Sequence, residues 1–178
     1  MDFSLRPWSM NDLDNLVKYA NNFNIAKNLT NLFPYPYKEE NGKQFIGMAT
    51  EPELPNVLAI DINGEAVGSI GVHPQKDIMC KNAEMGYWLA EPFWGKGIMT
   101  RAVVQMVEYG FKHWDINRIY ARPFGTNTAS QKVLEKAGFM LEHRFEKTVF
   151  KNGEYLDELY YAVRRQSVFG NNLPQKSF

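Results

Sequence analysis

The stretch PFWGKGIMTRAV, Pro92–Val103, places Gly95 and Gly97 one residue apart, after an apolar run and immediately before a helical pattern. Glycine carries no Cβ, so the chain can turn sharply there and a ligand can come close to the backbone. The first N–H groups of the following helix have no partners inside it, and the helix dipole adds partial positive charge. Each such contribution is about 0.3–1 kcal/mol, but several amides converge on one point, an arrangement suited to a phosphate. A tight turn with no ligand is the competing reading of an isolated Gly-x-Gly, so the surrounding sequence decides.

Downstream, Met99, Ala102, Val103, Met106, Val107, Gly110, Phe111 and Trp114 recur at three- and four-residue intervals, which predicts a helix that buries one stripe against a sheet. INRIYAR, Ile116–Arg122, reads as a strand. TNTASQKVLEKAGF reads as a compact helix with Asn127 near its start, Lys132 and Lys136 late, and Gly138 just past its end. A hairpin closes the core, HRFEKTVF turning at Asn152–Gly153 into EYLDELYYAVRR.

Upstream, NVLAIDI, EAVGSIGVH and NAEMGYWLA are strand-like, and Asn63–Gly64 between the first two is a two-residue hairpin signal. FSLRPW is a short strand, after which Ser9 caps a helix whose Met10, Leu13, Leu16, Val17 and Ala20 share a face. Asp12 completes a capping-box variant. A polar, aromatic-bearing connection broken by Pro34 and Pro36 leads to a helix from about Lys38 to Ala49. The order mixes an antiparallel half with a strand–helix–strand crossover, which must be right-handed and parallel. The expectation is an α+β fold, a central mixed, mostly antiparallel sheet of about seven strands flanked by about four helices. Residues 1–165 form one domain, and 166–178, QSVFGNNLPQKSF, a poorly ordered tail.

The chain has 178 residues, 44% of them hydrophobic, enough for one domain with its own core. Lys+Arg and Asp+Glu both number 20, so no global charge draws nucleic acid or an anionic membrane, and any anion site must be local. The N-terminus lacks a signal-peptide pattern and no 18-residue apolar run occurs, which points to a cytoplasmic protein without a membrane partner. One cysteine and three scattered histidines supply no metal-ligand spacing, so no metal is expected. Neither G-x-x-x-x-G-K-[ST] nor G-x-G-x-x-G is present, which disfavours an NTPase or a dinucleotide-dependent oxidoreductase.

EMGYWLAEPFWGKGIMTRAV followed by INRIYARPFGTNTASQKVLEKAGF resembles the acetyl-CoA-binding core of the GNAT superfamily of N-acetyltransferases, in its ribosomal-protein N-terminal (RimJ/RimL-type) branch. The similarity runs from about Leu5 to Arg164. It implies an acetyl-CoA-dependent N-acetyltransferase, a monomer or homodimer, acting on a primary amine in a protein or peptide N-terminus or in a small molecule. It implies that the backbone amides of Gly95, Lys96, Gly97, Ile98, Met99 and Thr100 grip the pyrophosphate of CoA. Trp88, Leu89 and Ala90 would pair with the pantetheine arm, and an unpaired N–H at Leu89 or Ala90 would bond the thioester oxygen between splayed strands. A superfamily tyrosine that protonates the leaving thiolate falls at Leu134, so the role passes to Ser130 of the N-x-x-S pattern, with Asn127 orienting the cofactor or capping the helix. The loop departs from the usual pattern at Trp94 and Met99, and a glutamate of some Rim-type relatives falls at Val149.

A substrate amine arrives largely protonated at neutral pH, and a carboxylate is the usual remedy. Glu84 and Asp157 are the candidate catalytic bases, each equally readable as a salt-bridged strand carboxylate. Phe33, Tyr35, Tyr37 and Trp88 are candidate acceptor-pocket residues, or core. A non-catalytic CoA-binding or protein-interaction module on the same fold is the alternative function.

Overall fold

The computed structural model describes residues 1–170. Strands β1 (Ser4–Pro7), β2 (Val57–Ile62), β3 (Glu65–Pro74), β4 (Asn82–Leu89), β5 (Arg118–Ala121), β6 (Met140–Lys151) and β7 (Glu154–Arg164) form one sheet in the order β1-β2-β3-β4-β5-β7-β6. Every neighbouring pair is antiparallel except β4 with β5, the pair joined by the helical crossover. Among the described residues six α-helices accompany it: α1 (Leu13–Ala20), α2 (Phe23–Ala26), α3 (Glu39–Thr50), α4 (Ile98–His113), α5 (Thr128–Lys136) and α6 (Arg165–Phe169). Four of these are the expected helices. The other two are short: α2 is a single turn capped by the Asn22 side chain, which accepts from Asn24 N–H at 2.8 Å. The second, α6, occupies the start of the expected tail, with Phe169 edge-on to Phe111 at 6.3 Å; residues 171–178 lie outside the described residues.

Turn chemistry sets the hairpins. Asn63 and Gly64 both have positive φ, 54° and 87°, as do Asn152 and Gly153, at 52° and 84°, which is what a two-residue turn matched to strand twist requires. One cluster of buried side chains joins β2, β3 and β4 to α4 through Ile60, Ile70, Val72, Met106 and Phe111. A second, built on Trp8, Leu16, Ile46, Ala59 and Trp88, lies under α1 and α3. Alternation along β4 explains the division, because Met85 and Leu89 face the first cluster and Trp88 the second. Helix α4 buries Ile98, Met99, Val103, Met106, Val107 and Phe111. At about 1.5–3 kcal/mol for each large apolar side chain, that seam fixes the helix, and therefore its N-terminus, rigidly to the sheet.

The start of the chain is pinned by charge. Arg6 on β1 grips Asp12 with two nitrogens, at 2.7 and 2.8 Å, and donates through Nε to Asp61 of β2 at 2.8 Å. Asp12 also accepts from Ser9 N–H at 2.9 Å, the capping-box contact that starts the first helix. Burial pushes the Asp12 carboxyl up, but the hydrogen bonds and charge of Arg6 and the Ser9 amide outweigh it and hold the group below its ordinary range.

β4 and β5 pair only over Asn82–Glu84 and Arg118–Tyr120. Beyond Glu84 the two parallel strands diverge, and the sheet opens at its centre.

Candidate active site

The opening between β4 and β5 leads to a cavity of about 500 Å³, whose walls come from β4, the loop into α4, the end of β5, the first turns of α5, and the segment after α2. Gly95 and Gly97 sit at one end with φ of 73° and 71°, left-handed conformations that an L side chain adopts at a cost. A Cβ built on either meets nothing within 4 Å, so the space in front of these residues is open. Gly97 is the N-cap of α4, and the first intrahelical bond runs from Arg101 N–H back to Gly97 O at 3.3 Å. The amides of Ile98, Met99 and Thr100 therefore have no partner in the helix. The Ile98 and Met99 side chains are buried, so Met99 does not crowd the cradle and backbone is what this end presents. Lys132 and Lys136, one turn apart on α5, add cations to the same cavity, in a chain of zero formal net charge. The Lys96 ammonium turns away to Pro92 O, at 2.8 Å, and lies over the Phe93 ring.

Leu89 and Ala90 are distinguished by register. Ala90 N–H donates to Val67 O of β3 at 2.8 Å, so it is already used. Strand alternation then turns Leu89 N–H away from β3, toward the opening where β5 no longer pairs. The Leu89 carbonyl accepts from Trp94 Nε1–H at 2.6 Å. Trp94, a departure from the superfamily loop pattern, thus ties the end of β4 to the turn before α4.

Asn127 caps α5, its side chain accepting from Ser130 N–H at 3.1 Å, and both residues line the cavity. Ser130 Oγ lies 2.7 Å from the hydroxyl of Tyr87 on β4. Burial pushes the Tyr87 phenol well above its ordinary pKa, opposed in part by the Ser130 contact, and keeps it neutral. Leu134, at the position of the superfamily tyrosine, is fully buried in the core.

The two candidate bases occupy different settings. Glu84 lines the cavity on the face opposite α4, where Oε1 accepts from Arg122 Nε at 2.9 Å and Nη2 at 2.8 Å. Arg122 also reaches Glu158 at 3.2 Å, and Tyr120 stacks on Tyr160 with ring centroids 5.9 Å apart. Asp157 is not on the cavity wall. It accepts from Arg144 and from Lys147 N–H, pinning the irregular stretch of β6 in which Lys147 has φ of 54°. The Lys147 amide, then Arg144, hold its carboxyl below the ordinary range despite some burial.

Of the aromatic candidates, Trp88 lines the cavity and touches Phe33 at 6.0 Å. Tyr37 packs behind them in the second cluster, its phenol pushed up to about 12 by burial, while Tyr35 is exposed against Phe23. The early-loop wall consists of Ile25, Asn28, Leu29 and Thr30 instead. Those four residues, with Tyr87 and Arg122, carry no site signal in the sequence, and Lys132 and Lys136 read there only as cations late in a helix. Only the N-x-x-S spacing pointed toward Ser130, and nothing local signalled its partner.

An amide cradle at an open helix N-terminus, leading into a cleft between two splayed parallel strands, is the geometry that the acetyltransferase resemblance implies. Residues 2–140 match the family model described as Acetyltransferase (GNAT) domain, and the chain belongs to that family. An uncharacterized N-acetyltransferase of Bacillus licheniformis is 26% identical over 172 residues, 94% of this chain and 95% of that protein. The ribosomal-protein-serine acetyltransferase of Escherichia coli (strain K12) is 32% identical over 82 residues, 46% of each chain. The uncharacterized N-acetyltransferase YoaA of Bacillus subtilis (strain 168) is 33% identical over 101 residues, 56% of this chain and 55% of that protein. At these higher identities the chain thus spans about half the length of the curated relatives it matches. The solved structure of a GNAT-family acetyltransferase from Bacillus anthracis superposes with a TM-score of 0.80 at 24% identity, covering 92% of this chain and 95% of that one. The structure of RimL in complex with coenzyme A superposes with a TM-score of 0.74 at 23% identity, covering 91% and 93%. Among the described residues no helix is long and apolar enough to cross a membrane.

Proposed function

We propose that this chain transfers an acetyl group from acetyl-CoA to a primary amine, a protein or peptide N-terminus or a small-molecule amine, by direct attack within a ternary complex. The observation that carries this reading is the continuity of one cavity. It runs from the open amides at Gly97, past the inward-turned N–H of Leu89 and the hydroxyl of Ser130, to Glu84 on the opposite face. The spacing of parts matches the needs of acyl transfer. Amides and two lysines hold the diphosphate end of CoA. Leu89 N–H, already oriented by the sheet, donates to the thioester oxygen as it gains charge, a preorganised contact that in other oxyanion sites is worth about 3 kcal/mol.

Glu84 is the one carboxylate on the cavity wall among the described residues. It accepts a proton from the incoming ammonium, directly or through water, and Arg122 fixes its orientation. The Bacillus relatives named as N-acetyltransferases support an amine acceptor, and the structure of RimL with coenzyme A supports CoA as the acyl carrier. Release of free thiol, followed with acetyl-CoA and a panel of N-terminal peptides and polyamines, tests the proposal. Amine-dependent thiol release is expected; saturable CoA binding without turnover for any amine would replace it with a binding module.

A further inference from the structure

Tyr87 is a half-buried tyrosine of the central strand that lines the cavity and whose hydroxyl bonds α5 rather than the sheet. It meets Ser130 twice, Oγ at 2.7 Å and the carbonyl oxygen at 3.4 Å. The two hydroxyls can share their hydrogens in two ways. If Ser130 donates to Tyr87, the phenolic hydrogen is left with the long contact to Ser130 O. If Tyr87 donates to Ser130 Oγ, the short contact is used by the stronger donor, and the serine hydrogen is free to point into the cavity. With protein partners alone the first arrangement gives both hydrogens a partner; an acceptor in the cavity, such as a thiolate, selects the second, because the serine hydrogen then bonds it while the short contact to the phenol is kept. The serine backbone is fixed as well, because its N–H is held by Asn127. A hydroxyl that accepts one hydrogen bond also becomes a better donor in the next.

We propose that Tyr87 is a positioning residue for the leaving sulfur: it donates to Ser130 Oγ and so aims the Ser130 O–H at the thiolate released when the C–S bond of acetyl-CoA breaks. This rests on the acetyl-transfer reading above. The electron pair of the C–S bond goes to sulfur, the amine lone pair forms the new N–C bond, and the amine proton goes to Glu84 or water. Ser130 and Tyr87 keep their protons throughout, acting as hydrogen-bond donors only. A phenol approaching from the sheet through a serine thus stands where Leu134 offers none from the helix. Burial pushes the Tyr87 phenol above its ordinary pKa, which favours the neutral, hydrogen-donating form.

The test reads the sulfur itself. CoA bound to the protein is titrated by the ultraviolet absorbance of its thiolate, in wild type, Tyr87→Phe, Ser130→Ala, Ser130→Thr and the double variant Tyr87→Phe/Ser130→Ala. Tyr87→Phe should raise the apparent pKa of the bound thiol by about half to one unit and lower kcat about five- to tenfold, the scale of one neutral hydrogen bond, with KM for acetyl-CoA within about twofold. Ser130→Ala should do the same, Ser130→Thr should retain the wild-type thiol pKa, and the double variant should fall no further than Ser130→Ala. Fluorotyrosine in place of Tyr87, nearly isosteric and a stronger donor, should lower the thiol pKa and serves where phenylalanine impairs folding. An unchanged thiol pKa in both Tyr87 variants, or single losses that multiply in the double variant, would overturn the inference while leaving acetyl transfer standing. Failure of wild-type protein to bind CoA would overturn both.

Discussion

Gly97→Ala separates the cost of a strained backbone from the loss of a ligand cradle. Gly97 has φ of 71° and ψ of 6°, and a Cβ placed there meets nothing within 4 Å. No protein atom must move, so the stability cost is the left-handed conformation alone, about 1–2 kcal/mol. For a chain of this length that lowers Tm by about 2–8 °C. The methyl group also enters the open space that a diphosphate must occupy to reach the amides of Ile98 and Met99, and the Kd for CoA should rise more than about tenfold, that is, by more than about 1.4 kcal/mol. Gly153 is the matched control: φ is 84°, a Cβ again meets nothing within 4 Å, and it lies in the β6–β7 turn. Gly153→Ala should lower Tm by a similar amount and leave CoA affinity unchanged. Differential scanning fluorimetry and calorimetric titration, run on both variants, provide the comparison. Equal CoA affinity in Gly97→Ala and Gly153→Ala would refute the reasoning, because strain without a cradle predicts that result.

Glu84→Gln should cost most rate near neutral pH and recover toward wild type at higher pH, where the amine arrives deprotonated; an equal loss at every pH would remove Glu84 from proton transfer. Trp94→Phe deletes the donor to Leu89 O, so it should lower stability by about 1 kcal/mol and reduce kcat with little change in acceptor KM, as steady-state kinetics beside urea denaturation would show. Asp12→Asn should destabilise by about 2 kcal/mol at neutral pH through the lost charge-assisted bonds from Arg6. The Asp12 carboxyl is depressed in the folded state, so its contribution is present above the unfolded pKa near 3.9 and disappears as pH falls through the lower folded value. Urea midpoints measured between pH 7 and about 2.5 should therefore fall less steeply in Asp12→Asn than in wild type.

Local chemistry was legible where one residue type decides the backbone. The Asn-Gly pairs gave both hairpins, the stripe from Met99 to Trp114 gave α4, and Asn127 with Gly138 bounded α5. The parallel β4–β5 pair follows from the length of the crossover helix. What escaped depends on contacts between distant segments. Tyr87 reads as one more strand aromatic until α5 places Ser130 beside it, 43 residues away in sequence. Asn28, Leu29 and Thr30 belong to a polar connection without periodicity, and only the single-turn helix α2 carries them onto the cavity wall. That turn is tied down by Asn22 and Asn24 to Glu91, at 2.7 and 3.2 Å, bonds that no pattern announces. Choosing between Leu89 and Ala90 required knowing which N–H faces β3, a question of register that a strand's own sequence does not answer.

The most direct measurement is a calorimetric comparison of CoA with pantetheine on the wild-type protein. Anchoring by the Gly97 amides predicts saturable, exothermic binding of CoA and at least about a hundredfold weaker binding of pantetheine, which lacks the diphosphate; several amide contacts of about 0.3–1 kcal/mol each supply that difference. Equal affinity for the two compounds, or no saturation with CoA, would contradict it.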